Sequence, residues 1–340
     1  MKYLITGGAG FIGCNLAHAL LNDNEQVTIL DDLSRPLTPL NLKWLQDNHG
    51  DKIRFVKADI SEGSKLQDVV EEQDVVCHLA GQVAVTNSVS DPRRDFEINA
   101  LGTMNLLEAV RLANKPPIFL FASTNKVYGG MENVSLLETE SRYCYEDLPQ
   151  GCSELQPLDF HSPYGCSKGA ADQYVRDYAR IYGLKTVVFR QSCIYGPRQF
   201  GVEDQGWLAH FVISAVLGRQ VTVYGDGKQV RDILHVDDLI RVYRSAIDHI
   251  ESVSGEIFNI GGGAQNTISI WYELCPILEK LSECPMVVEM EDWRPGDQRI
   301  YISDISKASQ QLSWVPEISI EEGIARLFSW VKEHRYIFTQ

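Results

Sequence analysis

A chain of 340 residues with 44% hydrophobic and 23% charged side chains has the composition of a packed globular protein, and no run approaches the ~20 apolar residues of a membrane span. Its formal net charge of −15 argues against a nucleic-acid partner, because phosphate-backbone binding needs a basic surface; a small anion held by a few local arginines stays open. The sequence starts directly on a strand pattern, with no apolar leader of secretory type, so a cytoplasmic location is the expectation.

In chain order, β-branched runs alternate with helical periodicity. Strands are expected at Tyr3–Thr6, Gln26–Leu30, Ile53–Lys57, Val75–Leu79, Ile118–Ala122 and Thr186–Arg190. Helices are expected at Phe11–Asn22, Lys65–Glu72, Phe96–Ala113 and Tyr164–Tyr182. Such alternation predicts an α/β fold: a doubly wound, Rossmann-type parallel sheet covered on both faces, with ligands beyond the carboxyl ends of its strands. After residue 190 loops rich in Gly and Pro interrupt the rhythm, as at Tyr195-Gly196-Pro197-Arg198 and Arg294-Pro295-Gly296-Asp297. The expected division is a dinucleotide-binding domain over 1–190, also receiving parts of 235–262, and a smaller substrate-binding domain over 191–340.

The eight cysteines (14, 77, 144, 152, 166, 193, 275 and 284) form no C-x-x-C and no metal-ligand spacing with histidine, so no metal site is expected. They read as small hydrophobes in a reducing compartment.

Gly7, Gly10 and Gly13 follow the first strand and open the first helix. Glycine permits the tight turn and the close approach of a pyrophosphate, and the helix N-terminus offers free N–H groups. A bare glycine pattern also fits an ordinary strand–helix turn, but Asp31 stands at the end of the second strand, where a carboxylate accepts from a ribose diol. That carboxylate would repel a 2′-phosphate and so favours NAD; nearby Arg35 keeps NADP open. Asp59 and Ile60 would lie against the adenine, although Asp59 reads equally well as a helix N-cap.

Tyr164 and Lys168 stand at i and i+4, on one helical face, after Pro163, which suits a helix start. A neighbouring ammonium and a positive nicotinamide ring would both favour the phenolate, letting Tyr164 exchange a hydroxyl proton near neutral pH. A lone Tyr-x-x-x-Lys usually means only a surface pair, but Ser123 and Thr124 at the end of the fifth strand add hydroxyls for the same substrate oxygen.

The combination of Thr6-Gly7-Gly8-x-Gly10-Phe11-Ile12-Gly13, His78-Leu79-Ala80-Gly81, Asn99, Ser123-Thr124-x-x-Val127-Tyr128-Gly129, Ser162-Pro163-Tyr164-Gly165-x-Ser167-Lys168 and Arg231–Asp238 resembles the extended short-chain dehydrogenase/reductase family acting on nucleotide sugars. The likeness covers nearly the whole chain. Through Gly81–Ala84, Leu158–Tyr174 and Asp204–Trp207 it is most similar to the group of CDP-tyvelose (CDP-paratose) 2-epimerases.

The resemblance implies Thr124, Tyr164 and Lys168 as the catalytic set. It implies NAD, tightly bound and regenerated each turnover, against Gly7, Gly10, Phe11, Ile12, Asp31, Asp32, Ser34, Asp59, Ile60, Leu79, Ala80, Gln82 and Asn99, with Tyr164 and Lys168. For the substrate it implies Thr124, Arg198, Gln205, Arg231 and Arg294; the guanidinium fork of Arg231 and Arg294 suits a diphosphate, whereas each alone fits a surface ion pair. The expected partner is a nucleotide-diphosphate sugar, a CDP-linked 3,6-dideoxyhexose, with no nucleic acid and no membrane. A homodimer or homotetramer is expected through Phe96–Ala113 and Tyr164–Tyr182, burying Leu106, Leu107, Val110, Ala171, Val175 and Tyr178 between subunits.

One departure is informative. Sugar 4,6-dehydratases carry an Asp-Glu pair after the threonine, and this chain has Asn125 and Lys126 there. Chemistry is therefore expected to stop at oxidation and re-reduction. The rival readings are a UDP-sugar 4-epimerase, a net dehydrogenase and an idle NAD-binding regulatory protein.

Overall fold

The computed structural model describes residues 1–63, 65–294 and 297–339. In chain order the strands are β1 (Lys2–Thr6), β2 (Gln26–Asp31), β3 (Ile53–Lys57), β4 (Val75–His78), β5 (Ile118–Thr124), β6 (Leu136–Glu138), β7 (Tyr143–Tyr145), β8 (Thr186–Gln191), β9 (Cys193–Tyr195), β10 (Val221–Tyr224), β11 (Val230–His235) and β12 (Glu256–Ile260), followed by three short ones. Helices in the first part are α1 (Phe11–Asn22), α2 (Thr38–His49), α3 (Leu66–Val70), α4 (Val85–Ser90), α5 (Pro92–Phe96), α6 (Gly102–Leu112) and α7 (Ser162–Tyr182). Then come α8 (Trp207–Leu217) and α9 (Val236–Asp248).

Seven parallel strands form the central sheet in the order β12-β8-β5-β4-β1-β2-β3. The order reverses at β1, whose Thr6 lies opposite Leu30 on one side and His78 on the other. A cleft therefore opens at the carboxyl ends of β1 and β4. Strands such as Thr186–Gln191 are buried at every residue, as a sheet covered on both faces requires. On one face α1, α2 and α9 pack Leu16, Leu20, Leu45, Leu239 and Tyr243 into a single core. On the other, α3, α6 and α7 bury Val70, Leu106, Leu107, Val110, Ala171 and Val175. Each such Leu or Val side chain contributes about 1.5–3 kcal/mol on burial.

The helix Phe96–Ala113 is in fact a π-helical turn, Glu97–Leu101, followed by α6. Leu106, Leu107, Val110, Ala171, Val175 and Tyr178 are not available to a partner subunit. They fill the interior between α6, α7 and the sheet. The apolar residues these helices do expose are Phe96, Leu101, Leu112, Tyr174, Ile181 and Tyr182.

A buried ion pair ties α7 to the sheet. Arg190 on β8 donates through Nε and Nη2 to the two oxygens of Asp172, each at 2.9 Å, and through Nη1 to the Tyr128 hydroxyl at 3.0 Å. Ser123 at the end of β5 adds a third donor to Asp172 at 2.7 Å. Because both charges lie out of water, removing one partner would strand the other.

A second core gathers α8, β10, β11 and the helices Leu274–Ser282 and Ile320–Glu333 around Phe211, Val212, Ile233, Leu278, Leu327 and Trp330. The stretch from Ala308 to Trp314 packs instead with the first core, which the sequence reading did not anticipate. All eight cysteines are free thiols; Cys14, Cys77 and Cys152 are buried, but Cys166 and Cys284 are exposed, contrary to a uniform reading as core residues. No described helix is long and apolar enough to cross a membrane.

Candidate active site

The cleft at the switch point encloses about 430 Å³. Its floor is the turn from β1 into α1. Gly7 has φ +68°, and a Cβ there would meet the backbone nitrogen of Ala80 at 2.7 Å. Only glycine lets β1 and the loop after β4 approach so closely. A Cβ on Gly10 would press on Gly7 O at 3.1 Å, so the turn is tight here too. Helix α1 begins there with no side-chain cap and no acidic residue in its first turn. Its free N–H groups and dipole suit a pyrophosphate.

Of the residues expected at the cofactor, Gly7, Gly10, Phe11, Ile12, Asp31, Asp32, Ser34, Asp59, Ile60, Leu79, Ala80, Gln82, Tyr164 and Lys168 all line the cleft. Asp31 is buried and accepts from the backbone of Ala9 at 3.0 Å and of Leu33 at 2.8 Å. Burial raises its pKa, against the pull of those two N–H groups. Arg35 also lines the cleft, but its guanidinium turns to the side-chain oxygen of Gln205. Asp59 is the N-cap that the alternative reading allowed. It accepts from Ser61 N at 2.8 Å and pairs with Arg94 at 2.5 Å. Burial alone would raise its pKa; Arg94 and Ser61 hold it below the usual carboxylate range.

Asn99 does not line the cleft. Its Oδ1 accepts from Gln82 N at 3.0 Å, and its Nδ2 reaches Gln82 O and Asp95 Oδ1, both at 3.0 Å, and Ser167 Oγ at 3.2 Å. It is a buried strut that fixes the wall containing Gln82.

Thr124, Tyr164 and Lys168 converge at one end of the cleft beside Ser123 and Gln191. Thr124 comes from the last residue of β5, where its Oγ1 accepts from Lys126 N at 3.2 Å. Tyr164 and Lys168 come from the first two turns of α7, with Pro163 near its start. Lys168 Nζ donates to Ala122 O at 2.5 Å and lies 4.1 Å from the centroid of the Phe121 ring. Burial pushes its pKa down to about 7, although Asp172 and Asp95 oppose the shift. Burial likewise pushes Tyr164 up to about 12, a rise that the Thr124 hydroxyl moderates. The chain's own groups therefore hold Tyr164 as the phenol. The expectation that the neighbouring ammonium would favour the phenolate is not met by the chain alone, because desolvation outweighs it.

The substrate end is less convergent. A smaller pocket of about 180 Å³, lined by Cys193, Tyr195, Trp207 and Leu208, shares Ser192, Ile194, Gln199 and Gln205 with the main cleft. Gln205 thus belongs to the site. Arg231 is spent on backbone, donating to Val230 O at 2.8 Å and Gln298 O at 2.7 Å. Arg294 pairs with Glu203 at 3.0 Å and Asp204 at 3.1 Å, its guanidinium carbon 3.5 Å from the centroid of the Tyr224 ring. Pro295 and Gly296, part of the same sequence motif, lie outside the described residues. Arg198 is buried with its guanidinium 3.6 Å from the Trp44 ring and lines neither pocket.

Sequence reasoning gave Lys126 no positive role and did not consider Asp95. Lys126 Nζ donates to Gln298 Oε1 at 3.3 Å, and burial, with Arg231 nearby, pushes its pKa down to about 8. Among the described residues no group of three His, Cys, Asp or Glu side chains could hold a metal ion.

The family profile described as GDP-mannose 4,6 dehydratase matches residues 4–327. The CDP-paratose 2-epimerase of Salmonella typhi is 44% identical over 97% of this chain and 99% of its own. The UDP-glucose 4-epimerase of Mycolicibacterium smegmatis is 33% identical over 96% of this chain and 97% of its own. Among solved structures, the UDP-glucuronic acid 4-epimerase of Bacillus cereus, in complex with UDP-glucuronic acid and NAD, superposes with a TM-score of 0.83. It is 30% identical and covers 98% of this chain and 100% of its own. With a seven-stranded parallel sheet, a glycine cradle at its switch point and Thr124, Tyr164 and Lys168 at one end of the cleft, the chain belongs to the GDP-mannose 4,6 dehydratase family of extended short-chain dehydrogenases/reductases.

Proposed function

We propose that the protein is an NAD-dependent epimerase of a nucleotide-linked hexose, and that its substrate is CDP-paratose, inverted at C2 to CDP-tyvelose. NAD fits the residues present: the glycine turn at Gly7 and Gly10, the uncapped start of α1 and the buried Asp31 carboxylate suit a pyrophosphate and a ribose diol. When bound, NAD would supply a reversible hydride acceptor and a positive charge that favours the Tyr164 phenolate. Tyr164 takes the proton of the reacting hydroxyl and gives it back. Thr124 holds that oxygen, and Lys168 supplies the adjacent positive charge. Redox change nets to zero over the cycle, so no external oxidant is consumed.

The observation that carries this reading is an intact Thr124, Tyr164 and Lys168 in a strand–helix frame whose next residues are Asn125 and Lys126. Neither is a carboxylic acid able to protonate a leaving hydroxyl, so oxidation is not followed by elimination of water. The choice of CDP-paratose rests on the Salmonella typhi relative, which is more similar than the 4-epimerase reported beside it.

The test is a substrate panel. With no NAD added, CDP-paratose is expected to give CDP-tyvelose, and UDP-glucose is expected to give no UDP-galactose. The reverse pattern would make the protein a UDP-sugar 4-epimerase. No product from either, with NAD bound, would leave an idle binding protein.

We also propose a cytoplasmic homodimer or homotetramer, joined through the face that exposes Phe96, Leu101, Leu112, Tyr174, Ile181 and Tyr182. A 38.3 kDa monomer by light scattering would contradict it.

A further inference from the structure

Asp95, on the short helix α5, stands beside the reactive pair and takes no part in the chemistry described above. Its carboxylate is 1% exposed. Three neutral groups donate to it: Ser167 Oγ at 2.5 Å, Asn99 Nδ2 at 3.0 Å and Gln82 Nε2 at 3.1 Å. Among the described residues no Lys, Arg or His nitrogen lies within the 4.0 Å of an ion pair. A buried carboxylate without a charged partner is costly, and side chains rarely carry such a cost without a compensating charge close by.

That charge is Lys168. A Cβ built on Gly81 would meet Asn99 Oδ1 at 3.0 Å and Lys168 Nζ at 4.0 Å, which places the ammonium beside the residue that donates to Asp95. The other groups facing Lys168 are otherwise engaged. Asp172, one turn along α7, acts on Lys168 as well but is shared with Arg190 through two bonds. His78 on β4 is buried between Thr6 and Thr103 and pushed by burial down to about 3, so it is uncharged at working pH. Tyr164 is the remaining titratable neighbour, and it too senses Asp95.

We propose that Asp95 is a positioning residue for the reaction: the counter-charge of the Lys168 ammonium, fastened through Ser167, Asn99 and Gln82 to the wall of the cofactor cleft. This rests on Tyr164 and Lys168 being the reactive pair. Burial favours the neutral amine of Lys168, and negative charge nearby favours the ammonium; Asp172 and Asp95 both act in that sense, and Asp95 is the one with no cation of its own. Its removal therefore lowers the pH at which Lys168 loses its proton, and also lowers that of Tyr164. Both limbs of the activity profile move in the acid direction.

The test is titration of Lys168 by NMR in the full-length protein labelled at lysine, the signal being assigned by its loss in Lys168→Met. Asp95→Asn is expected to lower the Lys168 midpoint by about one pH unit relative to wild type, a tenfold shift towards the neutral amine. Ser167→Ala removes one of the hydrogen bonds but keeps the charge, and is expected to leave the midpoint in place. An unmoved midpoint in Asp95→Asn, or an equal displacement in Ser167→Ala, would overturn the assignment. Should Asp95→Asn not fold, the same coupling is read from the other side: in Lys168→Met the Asp95 carboxyl must titrate at higher pH than in wild type, and an unchanged value overturns it. These readouts involve no substrate, so they stand apart from the epimerase reading. In kcat/KM, the alkaline limb of Asp95→Asn is expected to move to lower pH by the same amount.

Discussion

At the dinucleotide end of the cleft, most contacts come from backbone and strand ends: the Gly7 turn, the start of α1, and Asp31 clamped by Ala9 and Leu33. At the substrate end the proposed arginines, Arg231 on β11 and Arg294 on a loop, already have partners. Arg294 lies against Glu203, Asp204 and Tyr224; Arg231 lies on Val230 and Gln298. The first end is preorganised by the fold. The second must exchange protein contacts for ligand contacts, so its affinity is a difference between two sets of interactions. That suits a sugar which has to present both faces to one fixed acceptor, provided that the remote diphosphate supplies the anchorage.

The rigid half is where substitutions should cost most. Tyr164→Phe keeps the buried ring and removes the proton acceptor. Turnover is expected to fall ~10²- to 10⁴-fold while cofactor binding and the melting temperature hold. A variant with wild-type turnover would remove Tyr164 from the mechanism. Next comes the frame that aims α7. Arg190→Met leaves the Asp172 charge buried and unpaired, and is expected to cost about 3–5 kcal/mol of stability in denaturant unfolding. A loss near zero would mean that α7 is held by its apolar stripe alone.

The loop half should show smaller effects. Arg294→Ala is expected to weaken binding of the nucleotide sugar by about 1.5–3 kcal/mol, the cost of one charge-assisted contact, and to release free 2-keto sugar nucleotide during turnover. Unchanged affinity with no released intermediate would place the diphosphate elsewhere, and Lys126 with Arg231 around Gln298 would be the next candidates.

The same contrast governs how much could be read from the sequence. The strand Val75–His78 and the helix Phe11–Asn22 were legible because burial on both faces of a parallel sheet leaves unbroken apolar runs, and core helices keep a clear stripe. The cleft residues from Gly7 to Ala80 were legible because the turn demands glycine and the strand end demands an acid. The arginines could not be placed by pattern alone. Whether Arg198 faces a phosphate or stacks on Trp44 depends on where α2 lies, and residue type carries no trace of that. Leu106, Val110 and Val175 read as interface residues because apolar periodicity marks a buried face without saying which neighbour buries it. Asp95 escaped notice for the opposite reason. A lone acid after two arginines on a short helix looks solvated, and only the packing of α5 against α7 turns it inward. Arg190 in the run Val187-Val188-Phe189-Arg190 carried a signal only for its own partner, Asp172, since a charge in an apolar strand requires one.

Storage of the ring hydride on a resident cofactor, between two steps at one carbon, is the central claim. The direct measurement is conversion of CDP-paratose carrying deuterium at C2, in ordinary water with no NAD added. CDP-tyvelose that keeps the deuterium at C2 is the expected result. CDP-tyvelose with hydrogen from solvent at C2 would contradict it, because the inversion would then proceed by loss and return of a proton.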